Sequence, residues 1–149
     1  LTAIIANRGY YITPHVVKAI GSEKNMNTKY MDRHETGIDS KYYEIIADGM
    51  ELAVLSGTAT VAQMDGVVVC AKTGTAQDPP RKNHSVFIAF APKVNPKIAI
   101  AVLVENSGFG ATYAGPIASL MIEYYLNRKI ERKDLEERIL NTILLNPNK

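Results

Sequence analysis

Residues that form cross-links are scarce in this chain. Its 149 residues include one cysteine, Cys70, and no tryptophan. A single cysteine excludes an internal disulfide, and its place inside an apolar run predicts a small core residue, not a reactive thiol. The three histidines, His15, His34 and His84, show no metal-ligand spacing with cysteine or acidic residues. We therefore expect no metal site and no bound cofactor.

Long apolar runs and a strong charge of one sign are also missing. No segment approaches the roughly 18 consecutive apolar residues of a membrane-spanning helix. The formal net charge is only +2, which argues against a nucleic-acid-binding surface. Hydrophobic residues make up 46% of the chain and charged residues 21%. This composition is typical of one globular domain with a sizeable core.

The most informative segment joins an apolar run to a polar one. Val67–Ala71 is rich in β-branched residues and predicts an interior strand covered on both faces. Lys72, Thr73, Gly74 and Thr75 follow directly, giving a cation and two hydroxyls around a glycine that lets another backbone approach. These groups suit an anion-binding site. The alternative is a strand that simply runs into a polar turn.

The remaining periodicities predict an α+β fold, with an antiparallel sheet and flanking helices. The predicted elements are the end of a helix over Leu1–Gly9, an extended segment with a short strand over Tyr10–Ile20, a surface excursion over Gly21–Ser40, an amphipathic helix over Lys41–Leu55, strands over His84–Ala91 and Lys97–Asn106, and a long helix over Ala111–Leu126 that starts near Gly115. Residues 127–149 predict a further C-terminal helix or tail. The short connections favour antiparallel neighbours.

Three segments in fixed order carry a family resemblance. Lys72–Gln77, His84–Pro92 and Ile98–Asn106, with the glycine-rich loop after the last, resemble class B penicillin-binding proteins, and within them the elongation-type peptidoglycan D,D-transpeptidases. Leu1–Gly9 and Ile12–Val17 resemble the segments that precede this region in the same family. The resemblance covers roughly residues 1–126 and implies part of a penicillin-binding, β-lactamase-like transpeptidase fold.

The family also requires an acylated serine in a Ser-x-x-Lys motif and a second motif, Ser-x-Asn. Neither occurs here, because none of the six serines has a lysine three residues later or an asparagine two residues later. In the family both motifs lie upstream of the equivalent of Leu1. We therefore expect the chain to be the C-terminal part of a transpeptidase domain, without its nucleophile and inactive by itself. The uncapped start of the first helix also suggests a piece of something larger.

The resemblance implies a role for each residue of the polar segment. Lys72 would face the nucleophile and help relay protons, and the Thr75 N–H would be one oxyanion-hole donor. The Thr73 and Thr75 hydroxyls would bind a substrate carboxylate, while Gly74 keeps the strand edge open. The implied ligands are peptidoglycan stem peptides ending in D-Ala-D-Ala and β-lactam antibiotics. The implied location is the bacterial periplasm, with an anchor in the inner membrane.

Other interpretations stay open at this point. A β-lactam sensor of the same fold would bind without catalysis. A nucleotide-binding α/β domain would use the Gly108-x-Gly110 turn before the last long helix, although Tyr113 stands where a third glycine is needed. We expect His84 to face solvent, Asn106 to belong to a turn, and the charge run Arg128–Arg138 to be a solvated helix face. The expected protein partner is the rest of the same polypeptide, with possible self-association of the piece.

Overall fold

The computed structural model describes residues 1–17, 19 and 28–144. Within these ranges the chain forms four α-helices and five strands, with short 3-10 turns at Thr28–Tyr30 and Thr60–Ala62. In chain order they are α1 (Thr2–Ala6), β1 (Tyr10–Ile12), β2 (Arg33–Glu35), α2 (Ser40–Leu55), β3 (Cys70–Ala76), β4 (His84–Ala91), β5 (Ile98–Val104), α3 (Ala114–Asn127) and α4 (Lys133–Leu140). Parts of the predicted segments Tyr10–Ile20 and Gly21–Ser40 lie outside the described residues.

Both sheets are antiparallel, so the predicted α+β class is confirmed. The larger has the order β3-β4-β5, and the smaller pairs β1 with β2. β4 is the central strand, and its register places Lys72 opposite Ile88 and Thr75 opposite Ser85. β3 therefore lies at one edge of the larger sheet in the described part of the chain.

The predicted strand over Val67–Ala71 is wrong in its position. β3 begins only at Cys70, and Val67 forms a single isolated bridge with Met64. Val68 is 46% exposed, so the valine run is not an interior strand covered on both faces. The strand instead continues through Ala76, because every residue from Cys70 to Ala76 has a partner on β4. The Lys-Thr-Gly-Thr segment thus lies within the strand and not beyond its end.

The core lies on both faces of the larger sheet. On one face, β4 and β3 contribute Phe87, Ala89 and Ala71 to a cluster with residues of α3. That cluster includes Ala114, Ala118 and Ile122 of α3. On the other face, Phe90 and Cys70 pack with residues of α1 and α2, among them Ile5, Ala6, Tyr43, Ala47 and Met50. Burial of these apolar side chains is the main stabilising contribution.

The two long helices agree with the sequence pattern. α2 is capped by Asp39, whose carboxylate accepts a hydrogen bond from the Lys41 N–H over 3.0 Å. α3 starts at Ala114, and Pro116 in its first turn removes no helical hydrogen bond. In the described residues only α4 follows α3 and no strand does, so the glycine turn before α3 does not open a βαβ unit. No helix in the described ranges has the length and apolar character that a membrane span requires.

The charge run after α3 is only partly a solvated face, which corrects the expectation for Arg128–Arg138. Glu123 on α3 is 3% exposed and accepts a 3.0 Å bond from Arg132 Nε and a 2.9 Å bond from the Glu131 N–H. The Arg132 guanidinium also donates to the carbonyl groups of Val61, Gln63 and Ser119. Arg132 therefore fastens the start of α4 to the main core.

Candidate functional site

The candidate site is the exposed end of the edge strand β3. Side chains along a strand alternate between faces, so Lys72 and Gly74 share one face while Thr73 and Thr75 share the other. Lys72 and Thr75 are exposed, and Thr73 and Gly74 are partly buried. β4 occupies one side of β3, and no described strand pairs with the other side. An additional extended chain can pair with such an edge.

The ammonium group of Lys72 lies close to the backbone of this strand. Its Nζ donates a 2.7 Å hydrogen bond to the Thr73 carbonyl oxygen. A positive charge thus lies between the two threonines of the segment. In the described ranges, neither the salt bridges nor the hydrogen bonds pair Lys72 with a carboxylate. Its charge is available to a ligand at the same edge.

The Thr73 hydroxyl contacts a residue that the sequence did not indicate. Thr73 Oγ1 lies 2.7 Å from Thr58 Oγ1, and either group can be the donor. Thr58 belongs to the connector between α2 and β3, which sequence reasoning treated only as a string of small residues. This contact orients the Thr73 hydroxyl. A repeated pattern of small hydroxyl residues before β3 was the only signal for it.

Two glycines meet beneath the site. A Cβ on Gly110 would lie 2.4 Å from the Val86 carbonyl oxygen and 2.6 Å from that of Gly74. The loop that follows β5 therefore packs directly on the backbone of β3 and β4. Ser85 holds that loop, because its buried hydroxyl donates to the Phe109 carbonyl over 2.8 Å and accepts from the Ala114 N–H over 3.1 Å.

A polar network lies just beyond Thr75, where β3 ends. Asp78 accepts two hydrogen bonds from Arg81, at 2.8 and 3.2 Å, and one from Asn106 at 2.9 Å. The Arg81 bond, together with that from Asn106, holds the pKa of Asp78 below its ordinary value. The carboxylate therefore stays ionised and keeps its partners.

His84 belongs to this network, which corrects the expectation that it faces solvent. Its side chain is 24% exposed. Its Nδ1 accepts a 3.0 Å hydrogen bond from the Asn106 N–H, and its Nε2 lies 3.5 Å from Asp78 Oδ2. Asn106 is in a turn with φ +50°, as expected. No signal along the sequence showed that His84 and Asn106 would meet.

Groups that could hold a metal or act as a second nucleophile are not present near β3. The described residues contain no cluster of three or more His, Cys, Asp or Glu side chains suited to a metal ion. Cys70 lies two residues before Lys72 but is fully buried, and its thiol donates to the Ala47 carbonyl. Burial raises the pKa of the Cys70 thiol to about 11, so it stays protonated at neutral pH. The prediction that Cys70 is a core residue is confirmed.

This arrangement combines an open strand edge, a cation and hydroxyl donors. Such a set binds an extended peptide through backbone hydrogen bonds and an anionic group through Lys72 and the threonines. The structure brings all four predicted residues, Lys72 to Thr75, to one end of one strand. It does not place a serine among them, because Ser85 is buried on β4 and bonded to the neighbouring loop.

Sequence comparison gives a consistent match over most of the chain. The family model described as "Penicillin binding protein transpeptidase domain" matches residues 1–123. Peptidoglycan D,D-transpeptidase MrdA of Haemophilus influenzae is 30% identical over 87% of this chain and 23% of its own length. Peptidoglycan D,D-transpeptidase PbpA of Mycobacterium tuberculosis is 33% identical over 83% of this chain and 27% of its own length. The chain spans about a quarter of the length of these curated relatives.

Solved structures agree with the sequence match. Pseudomonas aeruginosa PBP2, crystallised with WCK 5153, superposes with a TM-score of 0.72 at 30% identity, covering 89% of this chain and 30% of that one. The imipenem acyl-enzyme complex of penicillin-binding protein A from M. tuberculosis gives a TM-score of 0.68 at 32% identity, covering 84% and 30%. The fold and the order of the motif segments are therefore those of these proteins.

Proposed function

Because the chain belongs to the penicillin-binding protein transpeptidase domain family, we propose that it forms the substrate-strand part of a peptidoglycan D,D-transpeptidase. The whole protein would cross-link stem peptides through a serine acyl-enzyme and would be acylated by β-lactams. The observation that carries the proposal is the exposed edge of β3, where Lys72 and Thr75 stand beside an unpaired strand side. The kinship of the chain with named D,D-transpeptidases supports the reaction type.

In this proposal the substrate peptide pairs with the open side of β3 as an added strand. Backbone groups of alternate residues in an antiparallel strand point to the same side, so the groups of Thr73 and Thr75 point together. The substrate carboxylate would accept hydrogen bonds from the Thr73 and Thr75 hydroxyls. Gly74 leaves room above the strand, since any side chain there would press on Val86, whose Cβ would lie 3.2 Å away.

The chemistry is acyl transfer in two steps. A serine oxygen attacks the carbonyl carbon between the two D-alanines, the carbon–nitrogen bond breaks, and the departing D-alanine amine takes up a proton. An amine of a second stem peptide then attacks the ester carbonyl, so the peptide bond forms and the serine is released. The Thr75 N–H would donate to the oxyanion in both steps. The Lys72 ammonium would raise the positive potential at the reacting carbonyl and help move protons.

The serine itself must come from a segment outside these 149 residues, since no Ser-x-x-Lys occurs in them. We infer that the rest of the same polypeptide supplies it, together with the Ser-x-Asn motif. The location that this function requires is the bacterial periplasm, with an anchor in the inner membrane. Separated from its polypeptide, the chain would self-associate through exposed apolar side chains such as Tyr124 and Tyr125.

The test is labelling by a fluorescent penicillin. We expect the full-length protein to be labelled covalently at one serine of a Ser-x-x-Lys motif, and the 149-residue chain alone not to be labelled. A stem peptide ending in D-Ala-D-Ala, offered with an acceptor amine, should then release D-alanine and yield a cross-linked product. Labelling without any D-alanine release would instead identify a β-lactam sensor, and no labelling of the full-length protein would refute the proposal.

A further inference from the structure

His84 lies at the point where the substrate strand meets its neighbours. It is the first residue of β4 and stands opposite Ala76, one position from the Thr75–Ser85 pair. We propose that His84 is a positioning residue, which fixes the Thr75 end of β3 so that its hydroxyl meets a substrate carboxylate. This inference rests on the function proposed above. His84 itself touches no substrate in this arrangement and acts through Asn106 and Asp78.

The hydrogen bonds around the His84 ring determine which nitrogen carries the proton. The backbone N–H of Asn106 donates to Nδ1 over 3.0 Å, so Nδ1 is the bare nitrogen. The proton is then on Nε2, which lies 3.5 Å from Asp78 Oδ2. The neutral ring is thus held between a backbone donor and a carboxylate, in one tautomer and one orientation.

Asn106 transmits this constraint to the loop that follows β3. Its side-chain nitrogen donates to Asp78 Oδ2 over 2.9 Å and to the Lys82 carbonyl over 2.8 Å. Its backbone has φ +50°, a left-handed conformation that asparagine adopts more readily than most residues. A further bond from the Gly108 N–H to the Asn83 carbonyl, at 2.8 Å, ties the same two loops. Without the ring, the Asn106 N–H loses its acceptor and this junction loosens.

The loop matters for binding because β3 is an edge strand. β4 holds only one side of it, and the strand ends at Ala76, two residues before Asp78. The Thr75 hydroxyl is exposed and has no hydrogen-bond partner in the described ranges. Its position therefore depends on the backbone that continues into Asp78. A hydrogen-bonding group must be held to within about 0.5 Å to favour one ligand geometry.

The charges around the ring are balanced. Asp78 faces Nε2, Arg81 offsets the Asp78 charge through two hydrogen bonds, and Glu105 lies near Arg81. The network therefore contributes orientation to the site with little net charge. This distinguishes its role from that of Lys72, whose charge acts on the ligand directly.

The test compares two ligands in the full-length protein. Benzylpenicillin carries the carboxylate that Thr75 would bind, and its methyl ester does not. We expect His84→Leu to lower the ratio of the two second-order acylation rate constants, acid over ester, by about tenfold. A general loss of structure would lower both rate constants and leave their ratio unchanged. His84→Asn places an amide oxygen near the position of Nδ1, and we expect it to restore most of the ratio.

Two further variants complete the design. His34→Leu removes an exposed histidine that lies 3.1 Å from the Thr13 hydroxyl, far from β3 in the chain, and should leave the ratio unchanged. If His84→Leu fails to fold, His84→Gln serves in its place, because glutamine reaches towards Asp78 but not towards the Asn106 N–H. A wild-type ratio in the folded His84→Leu or His84→Gln protein would overturn the inference. Absence of acylation in the wild-type protein would instead refute the proposed function.

Discussion

Gly110 and Gly74 lie backbone to backbone, although they are 36 positions apart in the chain. A Cβ on Gly110 would stand 2.6 Å from the Gly74 carbonyl oxygen and 3.0 Å from its nitrogen. The loop after β5 thus supports the strand that carries Lys72 and Thr75. Because both partners are backbone atoms, neither can move aside without displacing the strand or the loop.

Gly110→Ala is therefore expected to destabilise the protein by about 2 kcal/mol or more, because the added methyl group overlaps fixed backbone. Chemical denaturation measures the free energy of unfolding. Gly49→Ala is the matched control: Gly49 lies in α2 with open space around it, so alanine should raise stability by about 0.5–1 kcal/mol. A Gly110→Ala protein as stable as wild type would contradict the close packing.

Arg132 is expected to be the most sensitive residue of the C-terminal charge run. Arg132→Met leaves the buried Glu123 carboxylate without its cation and three carbonyl groups without a donor. We expect a loss of about 3 kcal/mol in the free energy of unfolding. Lys129→Met, which removes an exposed pair with Glu131, should cost less than about 0.5 kcal/mol. Equal effects of the two substitutions would show that α4 is not held as described.

The buried thiol of Cys70 gives a pH-dependent prediction. Its pKa is raised from 9.0 to about 11 in the folded protein, so the unfolded chain loses the thiol proton first as pH rises. The stability linked to Cys70 is complete below about pH 9 and falls as the pH approaches about 11. Cys70→Ala should remove this decline from a series of denaturation curves. A decline of the same size in Cys70→Ala would assign it to other groups.

The same burial predicts slow alkylation. At pH 8, iodoacetamide should modify the Cys70 peptide of the native protein at least about 100-fold more slowly than in denaturant. Peptide mass spectrometry follows the reaction at this position. Equal rates in the two conditions would mean that Cys70 is accessible.

Local pattern was sufficient for the parts of the fold that depend on local pattern. β4 and β5 alternate or run apolar between turns, and α2 has apolar residues at helical spacing, so their positions were predicted within one or two residues. The start of β3 was wrong because β-branched composition does not reveal a pairing partner. The valines before Cys70 have no partner in the sheet, whereas the polar residues after it do.

The site was only partly predictable for the same reason. Lys72 to Thr75 are contiguous, so their chemistry could be recognised from the sequence. The contacts that orient them join distant positions: Thr58 with Thr73, and His84 with Asn106. Arg132 likewise contacts carbonyl groups about 70 positions earlier. Such contacts depend on how the elements pack, and no spacing along the chain encodes them.

The most direct test of the central claim is the acylation rate of Lys72→Ala in the full-length protein. If β3 is the substrate strand, benzylpenicillin should acylate this variant at least about 100-fold more slowly than wild type, with the melting temperature unchanged. Lys97→Ala, at an exposed lysine just before β5, should acylate at the wild-type rate. An unchanged rate in a folded Lys72→Ala protein would contradict the role assigned to this strand.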